Sequence, residues 1–311
     1  MRAALELPLH RLADPALRPI AEKISAGERL DDADAVTLFG SFDLLGVGAL
    51  ADAVNVTDGA GANVHLGVVT AAALLAQAGI EPILQLTCRD RNRIALQGDL
   101  MGAAASGVHN LLCLTGDDPK AGDQPDTKAV FDVDSATLTA MARDLRDKGE
   151  LPSGRKVKGR ARFFLGAADA PIDPPPAWRP DKLAAKVAAG AEFAQTQFCM
   201  DAGVVTRYAA RLAEHATTRA LHLLVGIAPL RSAKSARWMK QHLYGTIIPD
   251  ALIERLEQAA DPAAEGERIA LELIEALAET PGVAGVHVMA PANDVAVPRV
   301  IAAARERLPR R

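Results

Sequence analysis

From residue 50 onward, unbroken apolar runs of strand length alternate with Ala- and Leu-rich stretches of helical length. AVNVT (53–57), EPILQLT (81–87), HNLLCLT (109–115), RFFLGA (162–167), FAQTQF (193–198), LHLLVGI (221–227) and GVHVMA (285–290) read as strands. Such continuous runs suit parallel strands that helices cover from outside. The helices between them are punctuated: GVVTAAALLAQAG closes at Gly79, RIALQGDLMGAAASG closes at Gly107, and DSATLTAMARDLRDKG starts on the capping type Asp134 and closes at Gly149. Seven βα units are legible. A closed (β/α)8 TIM barrel, the α/β fold this spacing matches, needs eight strands over about 250 residues. One strand is therefore expected from the first fifty residues, where AALELPL (3–9) and AVTLFGSF (35–42) are the available runs. The rest of that region reads as helices, so the expected organisation is a divergent, mainly helical segment 1–51 followed by a barrel at 52–311. An open doubly wound sheet of seven strands shares the same periodicity.

Composition narrows the class. The 311 residues are 49% hydrophobic with 4% aromatics, which suits interleaved helices and parallel strands better than a β-sandwich. A net charge of −4 from 35 basic and 39 acidic residues argues against a nucleic-acid partner, which calls for a clustered basic face. The opening MRAALELPLHRLADP is broken by Glu6, Pro8, His10 and Arg11, and no run approaches the roughly 18 apolar residues of a membrane span, so a cytoplasmic protein is expected. Cys88, Cys113 and Cys199 lie in apolar runs with no metal-ligand spacing and read as small buried hydrophobes in a reducing compartment.

In a barrel, chemistry gathers where strands end. That rule selects Asn55, Thr57 and Asp58; Gln85, Thr87, Arg89 and Asp90; Thr115 and Asp117; Ala168 and Asp169; Gln195 and Gln197; and Asn293. An amide buried without a partner costs roughly 1–3 kcal/mol, so amides inside these strands either pair within the barrel or face a polar ligand. The loop GDDPKAGDQPDTKAVFDVD (116–134) exceeds the roughly 12–15 residues usual for structureless connections, as lids and binding loops do. Within it, Asp117 follows Gly116 and either accepts hydrogen bonds from a ligand or opens an Asx turn. The basic run GRKVKGRAR (154–162) reads as a solvated loop. Trp178, after the stiff segment APIDPPPA, is either a core anchor or a stacking ring, and His65, His109 and His287 read as packed, hydrogen-bonded residues. The sequence contains no GxGxxG, P-loop, HExxH or GxSxG motif.

From about residue 52, the segments DAVNVTD (52–58), LQLTCRDRNRIALQGDLMGAAASGVHNLLCLTGD (84–117), KLAAKVAAGAEFAQTQFCMD (182–201), GIAPLRS (226–232), IPDALIERLE (248–257) and GVAGVHVM (282–289) occur in this order. In that order and spacing the chain resembles methylenetetrahydrofolate reductases, flavin-dependent (β/α)8 enzymes of one-carbon metabolism and methionine biosynthesis. The resemblance implies hydride transfer from NAD(P)H to FAD or FMN and on to 5,10-methylenetetrahydrofolate, giving 5-methyltetrahydrofolate. It makes Thr57 a flavin contact and Asp117 a catalytic anion beside the flavin N1 and C2 carbonyl edge, lined also by Thr115 and Gly116. Gln85 stands where many members carry a flavin-contacting histidine, and Lys186 matches a lysine near the cofactor phosphates. Gln197 matches the glutamine that hydrogen-bonds the folate pterin, with Phe198 following it.

The chain also departs from the family pattern. Asn293 replaces an arginine that meets the folate tail, and Ala233 falls near the position of a stacking aromatic. The E-x-x-P-P segment that carries the family's proton-donating glutamate is missing, and Glu6 is the one residue there that resembles it. Residues 11–52 instead resemble leader helices of radical-SAM enzymes of menaquinone and deazaflavin synthesis, without their CxxxCxxC loop. Two alternatives therefore stand beside the reductase: a folate- and flavin-binding protein completed by an electron-transfer partner subunit, and a methyltransferase that uses methyltetrahydrofolate. A homo-oligomer is compatible with each.

Overall fold

The computed structural model describes Arg18, Pro19, Glu22 and Lys23, and residues 52–308 apart from Ala292. Both runs considered for the first strand, the whole segment 1–51 as a unit, and Glu6 lie outside the described residues. Among the described residues the seven expected strands are all present: β1 Val54–Val56, β2 Pro82–Thr87, β3 Asn110–Leu114, β4 Phe164–Asp169, β5 Phe193–Phe198, β6 His222–Ile227 and β7 Val283–Val288. The helices between and after them are α1 Val68–Gln77, α2 Arg93–Ala105, α3 Ser135–Asp147, α4 Asp181–Ala189, α5 Ala202–Glu214, α6 Ala233–His242, α7 Asp250–Gln258, α8 Pro262–Ala278 and α9 Ala296–Arg307.

The chain divides into two compact units. The first comprises Asp52–Ala168 and Asp181–Phe193; the second holds 169–180 and 194–308 among the described residues. Strand order follows chain order in each, β1-β2-β3-β4 and then β5-β6-β7. Pairing is parallel from β1 to β4 and between β6 and β7. A doubly wound sheet would show an order reversal; the sequential order with a helix after each strand is instead that of the TIM barrel.

In the first unit, Leu84 and Leu86 of β2, Leu111 of β3 and Leu165 of β4 are fully buried against α1–α3, through residues such as Leu96 and Leu138. Side chains alternate across a strand, so Ile83, Gln85 and Thr87 fall on the opposite face of β2. The local signals behave as their chemistry requires. Asn92 caps α2 by accepting from the Ile94 and Ala95 amides, each at 3.1 Å, and Asp134 caps α3 by accepting from the Thr137 amide at 2.8 Å. Gly79, Gly107 and Gly149 have φ of 80°, 76° and 61°, the left-handed conformation that ends a helix cheaply only at glycine.

In the second unit, Leu223, Val225 and Ile227 of β6 are buried together with Tyr208 and Leu212 of α5 and Leu277 of α8. Two glycines permit backbone-on-backbone packing there. A Cβ on Gly266 would strike the Leu230 carbonyl, and one on Gly226 would strike the Thr196 and Gln197 carbonyls. Cys88, Cys113 and Cys199 are buried, and burial raises their thiol pKa values to about 11, 12 and 11, which leaves them protonated and inert.

Candidate active site

In the first unit the carboxyl ends of β1 and β2 are tied by a buried carboxylate. Asp58, directly after β1, is 8% exposed. Its Oδ2 accepts from the Thr87 amide at 2.8 Å, the Thr87 hydroxyl at 2.9 Å and Arg91 Nη1 at 2.6 Å, while Oδ1 accepts from Arg91 Nη2 at 3.2 Å. Arg91 also pairs with Asp99 of α2 at 2.8 Å. Burial opposes the Arg91 charge, but the Asp58 and Asp99 carboxylates more than offset it and hold its pKa above the ordinary value. Asp99, whose desolvation outweighs the help from Arg91, is pushed above the usual carboxylate range. Arg89, 4% exposed, donates to Asp90 at 2.8 and 2.7 Å and to the Gly59 carbonyl at 3.2 Å, and its own carbonyl accepts from the Val130 amide at 2.8 Å. Of the polar strand ends picked out by sequence, Asp58, Thr87, Arg89 and Asp90 therefore satisfy one another and fix the loops.

Around this lattice stand residues of a different kind. Thr57 is exposed at the end of β1. The β1–β2 register, Val56 beside Leu84, puts Thr57 level with Gln85. Gln85 is 8% exposed and makes no side-chain hydrogen bond among the described residues. At the end of β3, Thr115 and Asp117 are exposed on either side of Gly116, whose φ is 97°. A Cβ at Gly116 would come within 2.9 Å of Arg89 Cβ and 3.1 Å of Thr87 Cβ, so glycine lets this turn lie against the lattice. Asp117 makes no hydrogen bond among the described residues; its field helps to hold Arg89 charged.

The 116–134 loop is not structureless. A short 3-10 turn at Pro119–Ala121 begins it, Gly122 packs on the Ala62 carbonyl, and Asp132 accepts from Arg93 Nε at 2.8 Å and Nη2 at 2.9 Å. Thr115, Arg93, Phe131, Asp132 and Thr137 line an open cleft of about 640 Å³. Phe131 adopts φ 41°, a left-handed conformation that costs a non-glycine residue of order 1–3 kcal/mol. At the end of β4, Lys186 of α4 donates its Nζ to the Ala168 carbonyl at 2.6 Å. Thr57, Thr115, Gly116 and Asp117 thus lie just after β1 and β3, Gln85 lies inside β2 level with Thr57, and Lys186 reaches β4 from α4, all in one unit.

The second unit holds the other expected residues. Gln197, near the end of β5, accepts at Oε1 from the Phe198 amide at 3.0 Å, and Phe198 is buried. Asn293 donates to the Pro229 carbonyl at 3.0 Å. Asp169 accepts from the Tyr208 hydroxyl, and burial together with that carboxylate pushes the phenol pKa far up. Trp178 is an anchor: its ring lies 5.5 Å from that of Tyr208, while Arg211 donates to the Trp178 carbonyl at 3.1 Å, strapping segment 170–180 to α5.

The histidine expectation needs correction. His65 is exposed, with Nδ1 2.9 Å from the Asn63 carbonyl, and His109 is exposed at the start of β3, so neither is packed. His287 of β7 is packed, but its shielded Nδ1 has no hydrogen-bond partner. Burial lowers its pKa to about 4, leaving a neutral ring at pH 7. The basic run 154–162 is solvated as expected, with Lys156 pairing to Glu150 at 2.5 Å.

The methylenetetrahydrofolate reductase family matches residues 32–305. No curated protein matches the chain. Among solved structures, a Clostridium thermocellum protein that binds two copies of 5-methyl-5,6,7,8-tetrahydrofolic acid is 13% identical, with TM-score 0.46 over 73% of this chain and 72% of its own. EDTA monooxygenase from Chelativorans sp. BNC1 is 12% identical, with TM-score 0.48 over 85% of each chain. DmoA from Hyphomicrobium sulfonivorans is 12% identical, with TM-score 0.43 over 77% of this chain and 71% of its own. No helix among the described residues is long and apolar enough to cross a membrane.

Proposed function

Because the chain belongs to the methylenetetrahydrofolate reductase family, we propose that it reduces 5,10-methylenetetrahydrofolate to 5-methyltetrahydrofolate with NAD(P)H through a bound flavin, FAD or FMN. One observation carries the reading. Thr57 just after β1, Gln85 level with it inside β2, and Thr115 and Asp117 just after β3 have side chains that are not hydrogen-bonded to another described residue, and Thr115 lines an open cleft of about 640 Å³. Neighbours at strand ends that satisfy one another, as Asp58 and Arg91 do, have little left for a ligand; these four have their donors and acceptors to offer. Gly116, next to the cleft-lining Thr115, carries no side chain that would keep a ligand from the backbone there.

When bound, the flavin supplies a two-electron relay between NAD(P)H and the folate. The chain's own residues bind and bias. Thr57, Gln85 and Thr115 offer hydrogen bonds to polar edges, and Asp117 sets a carboxylate just after β3 that disfavours further negative charge beside it. Lys186, an ammonium at the end of β4, is suited to phosphate. Gln197 presents an amide, donor and acceptor together, as a pterin requires, and Phe198 packs behind it. Asn293 brings no cation to a folate tail. The proton donor that opens the methylene bridge is assigned to Glu6, an acid whose role demands a raised pKa and a fixed position.

The test is an absorption spectrum of the purified protein with FAD or FMN added, followed by NAD(P)H oxidation with 5,10-methylenetetrahydrofolate. Flavin bands and folate-dependent turnover are expected, and Asp117→Asn should keep the bands while turnover falls about 10²-fold. A protein that binds neither flavin and reduces no folate overturns the reading. The missing E-x-x-P-P segment favours a second reading, a flavin- and folate-binding protein completed by a partner subunit. Bound flavin without turnover in the wild type selects it, and full activity in Glu6→Gln removes Glu6 as the acid.

A further inference from the structure

Two buried side-chain polar atoms among the described residues lack any hydrogen-bond partner, His287 Nδ1 and Thr246 Oγ1. Buried polar atoms are nearly always satisfied, so each such orphan asks for an explanation. Both lie in the second unit, and both can be traced to Gln197.

On one side, His287 sits opposite Gly226 in the β6–β7 register. Gly226 has no side chain to meet the imidazole, and its α-carbon is pressed against the β5 backbone at Thr196 and Gln197. Gly226, the residue paired with His287, thus lies against the Gln197 backbone and carries no side chain. On the other side, Thr246 follows Gly245, where a Cβ would lie 3.8 Å from Gln197 Cγ. The segment is fixed there by pairing with the end of β5: the Ile247 amide donates to the Phe198 carbonyl at 2.9 Å, and the Met200 amide donates to the Ile247 carbonyl at 2.8 Å. An orphan imidazole and an orphan hydroxyl are thus each one residue removed from the side chain expected to meet the substrate, His287 through its strand partner Gly226 and Thr246 through its chain neighbour Gly245.

We infer that His287, assisted by Thr246, is a substrate-binding residue: its Nδ1 hydrogen-bonds the pterin ring that Gln197 holds. This rests on the reading of Gln197 as a pterin contact. The ring that suits these groups is planar and carries adjacent donors and acceptors, because a neutral imidazole presents one donor and one acceptor and a hydroxyl presents both. His287 acts in binding and takes no part in hydride or proton transfer, so its loss raises KM and leaves kcat in place.

The experiment titrates the flavin-loaded full chain with 5-methyltetrahydrofolate. It compares wild type, Gln197→Ala, His287→Phe, His287→Asn and Thr246→Val by calorimetry, alongside ¹⁵N spectra of histidine-labelled wild type. Binding by the wild type, a three- to tenfold loss in His287→Phe, a smaller loss in Thr246→Val, partial recovery in His287→Asn and a ligand-induced shift of the His287 ring nitrogens are expected. If the wild type binds and Gln197→Ala weakens binding while His287→Phe is unchanged and the ring nitrogens do not move, His287 is no ligand contact and the inference is overturned. If the wild type does not bind the folate at all, the proposed function fails and this inference falls with it. Should His287→Phe not fold, the wild-type nitrogen shifts decide alone.

Discussion

At the carboxyl ends of β1 and β2, Asp58, Thr87, Arg89, Asp90, Arg91 and Asp99 form a closed set in which every charge has a partner within 2.9 Å. Around β5–β7, two buried polar atoms, on His287 and Thr246, have no hydrogen-bond partner among the described residues. The first arrangement spends its polar atoms on holding loops still, whereas the second keeps backbones close through Gly226 and Gly266 and leaves polar atoms over. Position at a strand end therefore does not by itself mark a ligand contact. What separates scaffold from site is whether a polar group is already satisfied.

The sharpest way to break this contrast is Asp58→Ala. Removing one member of a buried ion pair typically costs about 3–5 kcal/mol; Asp99 still faces Arg91 here, but the Thr87 amide and hydroxyl lose their acceptor as well. Urea denaturation should show a loss of that order, and flavin binding should weaken with it, since Thr57 is the residue immediately before Asp58. A loss below about 1 kcal/mol would mean that the lattice is not what holds the loops. Gly226→Ala is the counterpart in the second unit. The new methyl group meets the Thr196 and Gln197 carbonyls, which are backbone and can yield only if β5 shifts. Overpacking of this kind costs about 1–3 kcal/mol. A folate affinity reduced along with stability would tie the close approach of β5 and β6 to the placing of Gln197.

His287 gives the comparison a pH axis. Its folded pKa of about 4 lies below the ordinary value of 6.5, so folding favours the neutral ring. The folded state then gains stability above pH 6.5 relative to acid, and that gain is lost progressively as pH falls from 6.5 towards 4. Carboxylates titrate over the lower part of this range, so the informative quantity is the difference between wild type and His287→Phe. The variant should lack the part of the decline that begins near pH 6.5; identical pH profiles would show that the imidazole is not desolvated in the folded protein.

The elements were legible from sequence because their signals are local. Gly79, Gly107 and Gly149 end helices through their own φ, and Asp134 and Asn92 cap through amides two or three residues ahead. The site was legible in part. NVTD and LTGD announced polar strand ends, but which members are consumed depends on pairs far apart in sequence: Asp58 and Arg91 are separated by 33 residues, and only the strand register makes them neighbours. His287 shows the same limit. Its apolar flanks correctly indicated packing, yet whether Nδ1 finds a partner is decided by a glycine 61 positions earlier, on the adjacent strand. The Phe131 conformation had no counterpart in the sequence pattern at all.

The smallest expected effect tests whether the first unit's polar economy extends to the rim of the cleft. Asp134 caps α3 through the Thr137 amide at 2.8 Å, and that bond holds its carboxyl below the usual carboxylate range. Asp134→Ala should cost about 1 kcal/mol, well short of Asp58→Ala, because the freed amide lies near solvent and water can replace the carboxylate. The depressed pKa fixes the sign with pH: the cap's contribution is present above the unfolded carboxylate pKa and disappears as pH falls through the folded one. Wild type and variant should therefore differ in denaturation midpoint at pH 7 and converge in acid. Asp134 also lines the cleft proposed for the flavin. A flavin affinity unchanged in Asp134→Ala would assign it to the scaffold, while weakened binding at undiminished stability would move it to the site.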